Sequence, residues 1–383
     1  KDKTPFTFKP ARPIPTYLVA FGIGPLEIVD TGVLIDDSVP FRIVVPKGKT
    51  TGTEFAMRET PPIFRAIKDY LDTSYPYQKL DFMAVPNFRA GAMENAGLVT
   101  YREPLLLVDE EKVTGGRLRA IRSVIAHELA HQWFGNLVTM EWWSDLWLNE
   151  GFATWAGWLA IDNIFPHWDV WTNFTNDDAG YAMKTDALAS SHAIQVTIGD
   201  PSEIDQVFDA LSYNKGASMI RMIESHVGSD VFRLGLRNYI ERHQYSNTLT
   251  ADLWTAISEC AGFNVAQIMD SWCLKVGFPV VKVESRDGNV LKLSQSRFFS
   301  GGEESKEDHL WSIPLHGCNE KGEVTSALFN SQKCDFTCGG EYVKLNAGQT
   351  SFVRVNYDEK GWKALQAPIS SLALPAVDRL GVI

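Results

Sequence analysis

The run Ser123-Val-Ile-Ala-His127-Glu128-Leu-Ala-His131-Gln-Trp-Phe-Gly-Asn136 decides how the rest of the chain is read. Leu118, Ile121, Ile125 and Leu129 recur at helical spacing across it, Gly115-Gly116 breaks the chain before it, and Gly135-Asn136 ends it. Positions four apart on a helix share a face, so His127 and His131 can aim both imidazoles at one metal ion. Glu128 lies about 100° round from His127 and flanks that ion without binding it. Two His ligands and a carboxylate base are the layout that zinc hydrolysis requires. The competing reading is a core helix that happens to carry two histidines.

A catalytic zinc takes three protein ligands and keeps a fourth position open. Glu150, in Trp142-Trp-Ser-Asp-Leu-Trp-Leu-Asn-Glu150-Gly-Phe-Ala-Thr-Trp155, follows His131 after eighteen residues. That gap suits a turn and a second helix packed on the first. The helix is expected from Leu148 to about Ile164, with Phe152, Trp155 and Leu159 inward and Pro166 at its end. A carboxylate amid so many aromatics needs a partner, because an unpaired buried charge is costly.

These motifs together resemble the zinc aminopeptidases of the aminopeptidase N group, the gluzincin aminopeptidases. Gly91-Ala92-Met93-Glu94-Asn95 matches that family's exopeptidase signature. The resemblance covers nearly the whole chain and is greatest to the puromycin-sensitive branch. It is carried there by Pro15-Thr-Tyr-Leu-Val-Ala-Phe21, Gly97-Leu-Val-Thr-Tyr-Arg-Glu103 and Leu374-Pro-Ala-Val-Asp-Arg-Leu-Gly381. Phe208-Asp-Ala-Leu-Ser-Tyr213-Asn-Lys-Gly-Ala-Ser218 resembles the segment that carries the family's transition-state tyrosine, matched here by Tyr213. The family departs from this chain at Ala96, where a Trp is common, and at Ala193, where Pro is usual. The first of these borders the signature that would shape the substrate pocket.

The resemblance implies one Zn2+ per chain, held by His127, His131 and Glu150, with Glu128 as general base. A phenol at Tyr213 can donate to an oxyanion without a formal charge, and Lys215 is a rival donor. Glu94 would bind the substrate's free α-amino group by charge-assisted hydrogen bonding and so reject internal peptide bonds. Gly91 and Ala92 permit close backbone approach, so that an extended substrate could pair like an added strand. Asp145, Asn149 and Thr154 are candidates to hydrogen-bond the ligands. His192, His226 and His243 lack metal spacing and read as structural or surface residues.

The 383 residues suffice for two or three domains, with 45% hydrophobic and 22% charged residues, as in ordinary globular chains. A net charge of −11 argues against nucleic acid or an anionic membrane as partner. No apolar run reaches the roughly 18 residues of a membrane span. Cys260, Cys273, Cys318, Cys334 and Cys338 are scattered and odd in number, which suggests free thiols and a cytoplasmic setting; a Cys334–Cys338 bridge in a loop is the alternative. The sequon at Asn173 carries no weight alone. The chain opens on Lys1-Asp2-Lys3 without Met and reads as a piece of a longer protein, itself expected to be monomeric.

The expected fold class is α+β and multidomain. Residues 1–47 read as the end of an N-terminal β domain. Residues 48–275 read as a catalytic domain, thermolysin-like by the resemblance. Residues 276–357 read as a β-sandwich and residues 358–383 as the start of a helical domain. Within this, Thr60 is expected to cap a helix reaching Leu71, and Thr250 another. Asp81–Val85, Leu98–Tyr101 and Leu105–Val108 are expected strands. Asp287-Gly288-Asn289 marks a hairpin, and Trp311–Leu315, Val324–Phe329, Tyr342–Leu345 and Phe352–Val355 continue the β pattern.

The expected activity is hydrolysis of the N-terminal bond of peptides with a free N-terminus. Other readings are an endopeptidase with the same core, the related branch that opens a lipid epoxide, and a non-catalytic scaffold or weakly active fragment. Glu94 argues against the first of these. The complete set of ligands, base and tyrosine argues against the scaffold.

Overall fold

A computed structural model describes residues 4–302 and 309–382 of the chain; Lys1-Asp2-Lys3 lies outside them. Strands β1 (Leu26–Leu34) and β2 (Pro40–Pro46) precede helix α1 (Glu54–Leu71), and β3 (Leu80–Val85), β4 (Ala92–Met93) and β5 (Leu98–Arg102) follow it. They form one mixed sheet in the order β1-β2-β3-β5-β4, with β2, β3 and β5 parallel and β4 antiparallel at the edge. In β2, Phe41, Ile43 and Val45 alternate into the core while their neighbours stay partly exposed, as a period of two requires. The sheet runs across the expected 47/48 boundary, because β2 and β3 are hydrogen-bonded neighbours.

Helix α1 starts six residues before Thr60, and Thr60 is buried inside it. Pro61 and Pro62 sit in the helix interior, where each removes a backbone hydrogen bond. Burial of Phe55 and Ala56 offsets that loss. So does Glu59, whose carboxylate takes Arg122 at 2.7 Å and ties α1 to the next helix. Leu105–Val108 is not a strand. Pro104 lies in a short 3-10 turn over Glu103–Leu105, and only Val108 N–H reaches across, to Gly52 O at 2.8 Å.

The helical layer comprises α2 (Gly115–His131), α3 (Trp147–Ile164), α4 (Val170–Phe174), α5 (Gly180–Asp186), α6 (Gly216–Val227), α7 (Ser229–His243), α8 (Thr250–Ala261) and α9 (Ala266–Cys273). Strands β6 (Val138–Met140) and β7 (Ser246–Thr248) pair within it. Gly115 and Gly116 form the first turn of α2 rather than a break, because Thr114 Oγ1 caps Arg117 N–H. Thr250 is not the cap of α8; Asp252 accepts from Leu249 N–H, and the Thr250 hydroxyl is drawn to Asp145. Helix α3 begins one residue earlier than expected and is buried on almost every side; Phe152 and Trp155 are fully inward and Leu159 partly so. Its glycines let it sit close. A Cβ on Gly151 would stand 2.9 Å from the Gly216 carbonyl carbon, and one on Gly157 would stand 3.2 Å from His127 N.

Beyond α9 the chain is mainly β. The hairpin β8 (Pro279–Asp287) and β9 (Val290–Arg297) turns at Gly288, as expected, and β10 (Ile313–Cys318), β11 (Val324–Phe329), β12 (Lys333–Thr337), β13 (Lys344–Leu345) and β14 (Arg354–Asn356) follow. They form a four-stranded sheet, β12-β9-β8-β14, and a three-stranded sheet, β11-β10-β13. Val283, Leu293, Ile313, Leu315, Phe329 and Phe336 of the two sheets share one buried cluster. Cys334 lies on β12, where a loop was expected, and all five cysteines are free. Four residue steps of extended chain separate Cys334 from Cys338 by about 13 Å, beyond the reach of a disulfide. Helices α10 (Glu359–Ser370) and α11 (Ala376–Leu380) close the described chain. No helix among the described residues is long and apolar enough to cross a membrane.

Candidate active site

Helices α2 and α3 pack against each other and bring three side chains to one point. His127 Nε2 and His131 Nε2 lie 3.0 Å apart, and Glu150 Oε2 lies 3.3 Å from each. Tetrahedral zinc bonded at about 2.0–2.1 Å holds its ligand atoms about 3.3 Å apart. The triangle therefore has the size that one such ion needs. Glu150 Oε2 has no hydrogen-bond partner among the described residues, as an oxygen reserved for a cation would not. Among the described residues, these three are the group of His, Cys, Asp and Glu side chains placed to hold a metal.

Each imidazole is oriented from behind. His131 Nδ1 lies 2.9 Å from the Phe134 carbonyl, which holds a proton on Nδ1 and turns Nε2 towards Glu150. Thr154 Oγ1 stands 3.3 Å from His127 Nδ1. Of the three side chains expected behind the ligands, Thr154 alone reaches one. Asp145 instead accepts from Gln195 and Thr250, both at 2.6 Å. Asn149 donates to the Tyr17 hydroxyl at 3.0 Å.

Three buried carboxylates, Glu94, Glu128 and Glu150, crowd these two rings. Burial raises the Glu94 pKa, with Glu150 adding and His131 opposing. Burial likewise holds Glu128 well above the usual carboxylate range. Burial would raise Glu150 too, but His131 and His127 pull it down to about 2. Burial opposes charge on His131, yet Glu94, Glu150 and Glu128 bring its pKa up to about 10. Three carboxylates packed around two imidazoles are crowded in a way that a divalent cation would relieve. Glu128 Oε2 also lacks a hydrogen-bond partner among the described residues.

The signature segment borders this point. Ala92 and Met93 form the edge strand β4, and Gly91 and Ala92 line a cleft of about 530 Å³ with His127, Glu128, Thr154 and Tyr213. The Glu94 carbonyl accepts from Gln132 Nε2 at 3.2 Å and Asn136 Nδ2 at 2.8 Å, which fastens the segment to the end of α2. Asn95 Oδ1 accepts from Thr100 at 3.1 Å.

Tyr213 lies in a π-helical turn, Leu211–Lys215, with its ring 5.8 Å from that of His127 and nearly parallel to it. Burial, then the charges of Glu150, Glu94 and Glu128, keeps its phenol protonated far above neutral pH, so it is a donor. Lys215 is not. Its Nζ is fully buried against Asp186 at 2.8 Å and donates to the Gly277 carbonyl. Tyr17, to which the sequence assigned no role, is half-buried beside the cluster and donates to the Gly135 carbonyl at 3.3 Å. Burial, then the charges of Glu94 and Glu150, raises its pKa well above the usual tyrosine value. No periodicity marks such a residue; the Pro15-Thr-Tyr-Leu match was the only sign.

The profile described as the Peptidase family M1 domain matches residues 55–272. Aminopeptidase M1-A of Oryza sativa subsp. japonica is 43% identical over 378 residues, covering 96% of this chain and 42% of that protein. The puromycin-sensitive aminopeptidase of Caenorhabditis elegans is 40% identical, covering 98% and 41%. The alanine/arginine aminopeptidase of Saccharomyces cerevisiae is 37% identical, covering 98% and 44%. The chain thus spans about two fifths of the length of the curated relatives it matches.

Proposed function

The chain belongs to peptidase family M1, and from that premise we propose that it carries the catalytic machinery of a zinc aminopeptidase acting on peptides with a free N-terminus. The observation that supports this most is the 3.0–3.3 Å triangle of His127, His131 and Glu150 with Glu128 and Glu94 buried beside it. One Zn2+ bound there supplies a more acidic water and polarises the scissile carbonyl. Glu128 takes the proton from the attacking water and later hands it to the leaving amine. The raised pKa of its carboxyl suits it to carry that proton. Tyr213 O–H donates to the oxyanion. Glu94 holds the α-ammonium group of the substrate, which sets the distance from N-terminus to scissile bond. The outer edge of β4 lies open beside Gly91 and Ala92 for an extended peptide.

The same reading extends to the whole chain. Residues 48–275 act as a thermolysin-like catalytic domain and residues 276–357 as a β-sandwich, with the end of an N-terminal β domain before them and the start of a helical domain after. The five free cysteines support a cytoplasmic setting, and the parent protein is read as a monomer.

The test is cleavage of alanine, leucine and arginine aminoacyl amides and their N-acetylated forms by the intact protein, with and without a chelator. Chelator-sensitive cleavage of the free-amine substrates alone is expected. Glu128→Gln is expected to lower kcat about 10³-fold while zinc content is kept. Cleavage of the blocked substrates would overturn the role of Glu94. Chelator-insensitive activity would overturn the zinc assignment.

A further inference from the structure

The turn that presents Tyr213 is held from outside. π-helical turns are rare and have to be stabilised by their surroundings. Asp209 supplies that support on the N-terminal side. Its Oδ1 accepts from Leu211 N–H at 2.9 Å and Ser212 N–H at 3.2 Å, and its carbonyl accepts from Tyr213 N–H at 3.1 Å. The second carboxylate oxygen is not directed at the turn. Asp209 Oδ2 meets His192 Nε2 at 2.8 Å. The other ring nitrogen, His192 Nδ1, lies 2.7 Å from the Ala193 carbonyl.

Both partners of this ring are oxygens that carry no proton at neutral pH, so both nitrogens must donate and the ring is an imidazolium. The one other carboxylate whose charge reaches it, Asp186, is neutralised by Lys215. His192 itself does not line the cleft, whereas Asp209 and Tyr213 do. It therefore has no direct means of touching a substrate held there.

We propose that the His192 imidazolium is a positioning residue for peptide hydrolysis: by holding Asp209 it fixes the turn that aims the Tyr213 hydroxyl into the cleft. This rests on the reading of Tyr213 as the oxyanion donor. The residue acts through two links, His192 to Asp209 and Asp209 to the three amides of the turn. Loss of the first leaves Asp209 free to swing and the turn free to relax towards ordinary α-helix, which rotates Tyr213 away. On the proposed reading, ground-state binding is set by Glu94 and β4, which His192 does not contact.

The test is a double-mutant cycle on leucine amide with His192→Gln, Tyr213→Phe and the two combined, with zinc content and melting temperature recorded for each. His192→Gln is expected to lower kcat about tenfold with KM changed by less than about twofold. In the Tyr213→Phe background the same substitution is expected to change kcat by less than about twofold. Asp209→Asn, which keeps the amide contacts and weakens the link to His192, is expected to behave like His192→Gln. An equal loss in both backgrounds would show a merely structural role and overturn the proposal, as would an unchanged kcat. An unimpaired Tyr213→Phe enzyme would instead overturn the oxyanion reading, which is a separate failure.

Discussion

Two buried charge clusters in this chain are built on opposite plans. At Lys215–Asp186, one cation meets one anion, both fully buried at 2.8 Å. Asp186 also accepts from Ser191 Oγ at 2.6 Å and Gly277 N–H at 3.0 Å, and Lys215 donates to Gly277 O, so the pair is nearly self-sufficient. Around His127, His131 and Glu150, three buried carboxylates face two imidazoles; Glu128 Oε2, Glu150 Oε2 and Asp186 Oδ2 alike lack a hydrogen-bond partner among the described residues, so the difference between the clusters lies in the charges. The first plan fastens α5 and the turn of Tyr213 to the start of the β region. The second has more carboxylates than imidazoles, an imbalance that a bound cation would relieve. Neither depth of burial nor hydrogen-bond satisfaction separates the two clusters; the balance of charge does.

The largest way to break this comparison is to remove one charge from each cluster. Lys215→Met leaves Asp186 buried and unpaired, and is expected to cost about 3–5 kcal/mol in urea unfolding. Adding Asp186→Asn is expected to restore most of that. Glu128→Gln relieves a cluster already overloaded with carboxylates, so its melting temperature is expected to hold or rise while activity falls. Equal destabilisation by the two single substitutions would erase the distinction. A smaller effect is expected from Thr154→Val, which removes the partner of His127 Nδ1 at 3.3 Å. Zinc affinity, measured by competition with a chelator, is expected to fall about tenfold.

The smallest effect concerns Asp178, which lines the same cleft and accepts from Asn214 Nδ2 at 2.6 Å. Burial pushes its pKa up to about 7 from the usual 3.8. The folded state thus keeps a proton that the unfolded state releases. Stability falls as pH rises from about 4 to about 7 and stays lowered above that. Asp178→Asn keeps the acceptor and removes the titration. The variant is expected to gain about 1–3 kcal/mol over the natural protein at pH 8 and almost nothing near pH 4. Identical gains at both pH values would place the effect elsewhere.

The helix of His127 and His131 was legible because its period and the spacing of its ligands lie within one segment. The α8 and α1 starts were not. Thr250 and Thr60 have the chemistry of caps, but each is claimed by packing: Thr250 by Asp145, and Thr60 by a helix that begins earlier to bury Phe55. β12 was missed for a related reason, since its pairing with β9 leaves little trace in five residues of mixed polarity. His192 reads as a structural or surface histidine until the fold brings Asp209 to it.

The sequence by itself determined the spacing of His127 and His131 on α2, the arrival of Glu150 on a second helix, and the period-two region after residue 279. Each of these is a property of one local stretch, fixed by helical or strand geometry. Tertiary structure alone decided that Thr154, not Asp145 or Asn149, stands behind His127, that Lys215 is consumed by Asp186, and that Tyr17 joins the site. Hydrogen bonds and desolvation act over a few ångströms in space. Residues separated by tens or hundreds of positions come within that range only after the chain has folded.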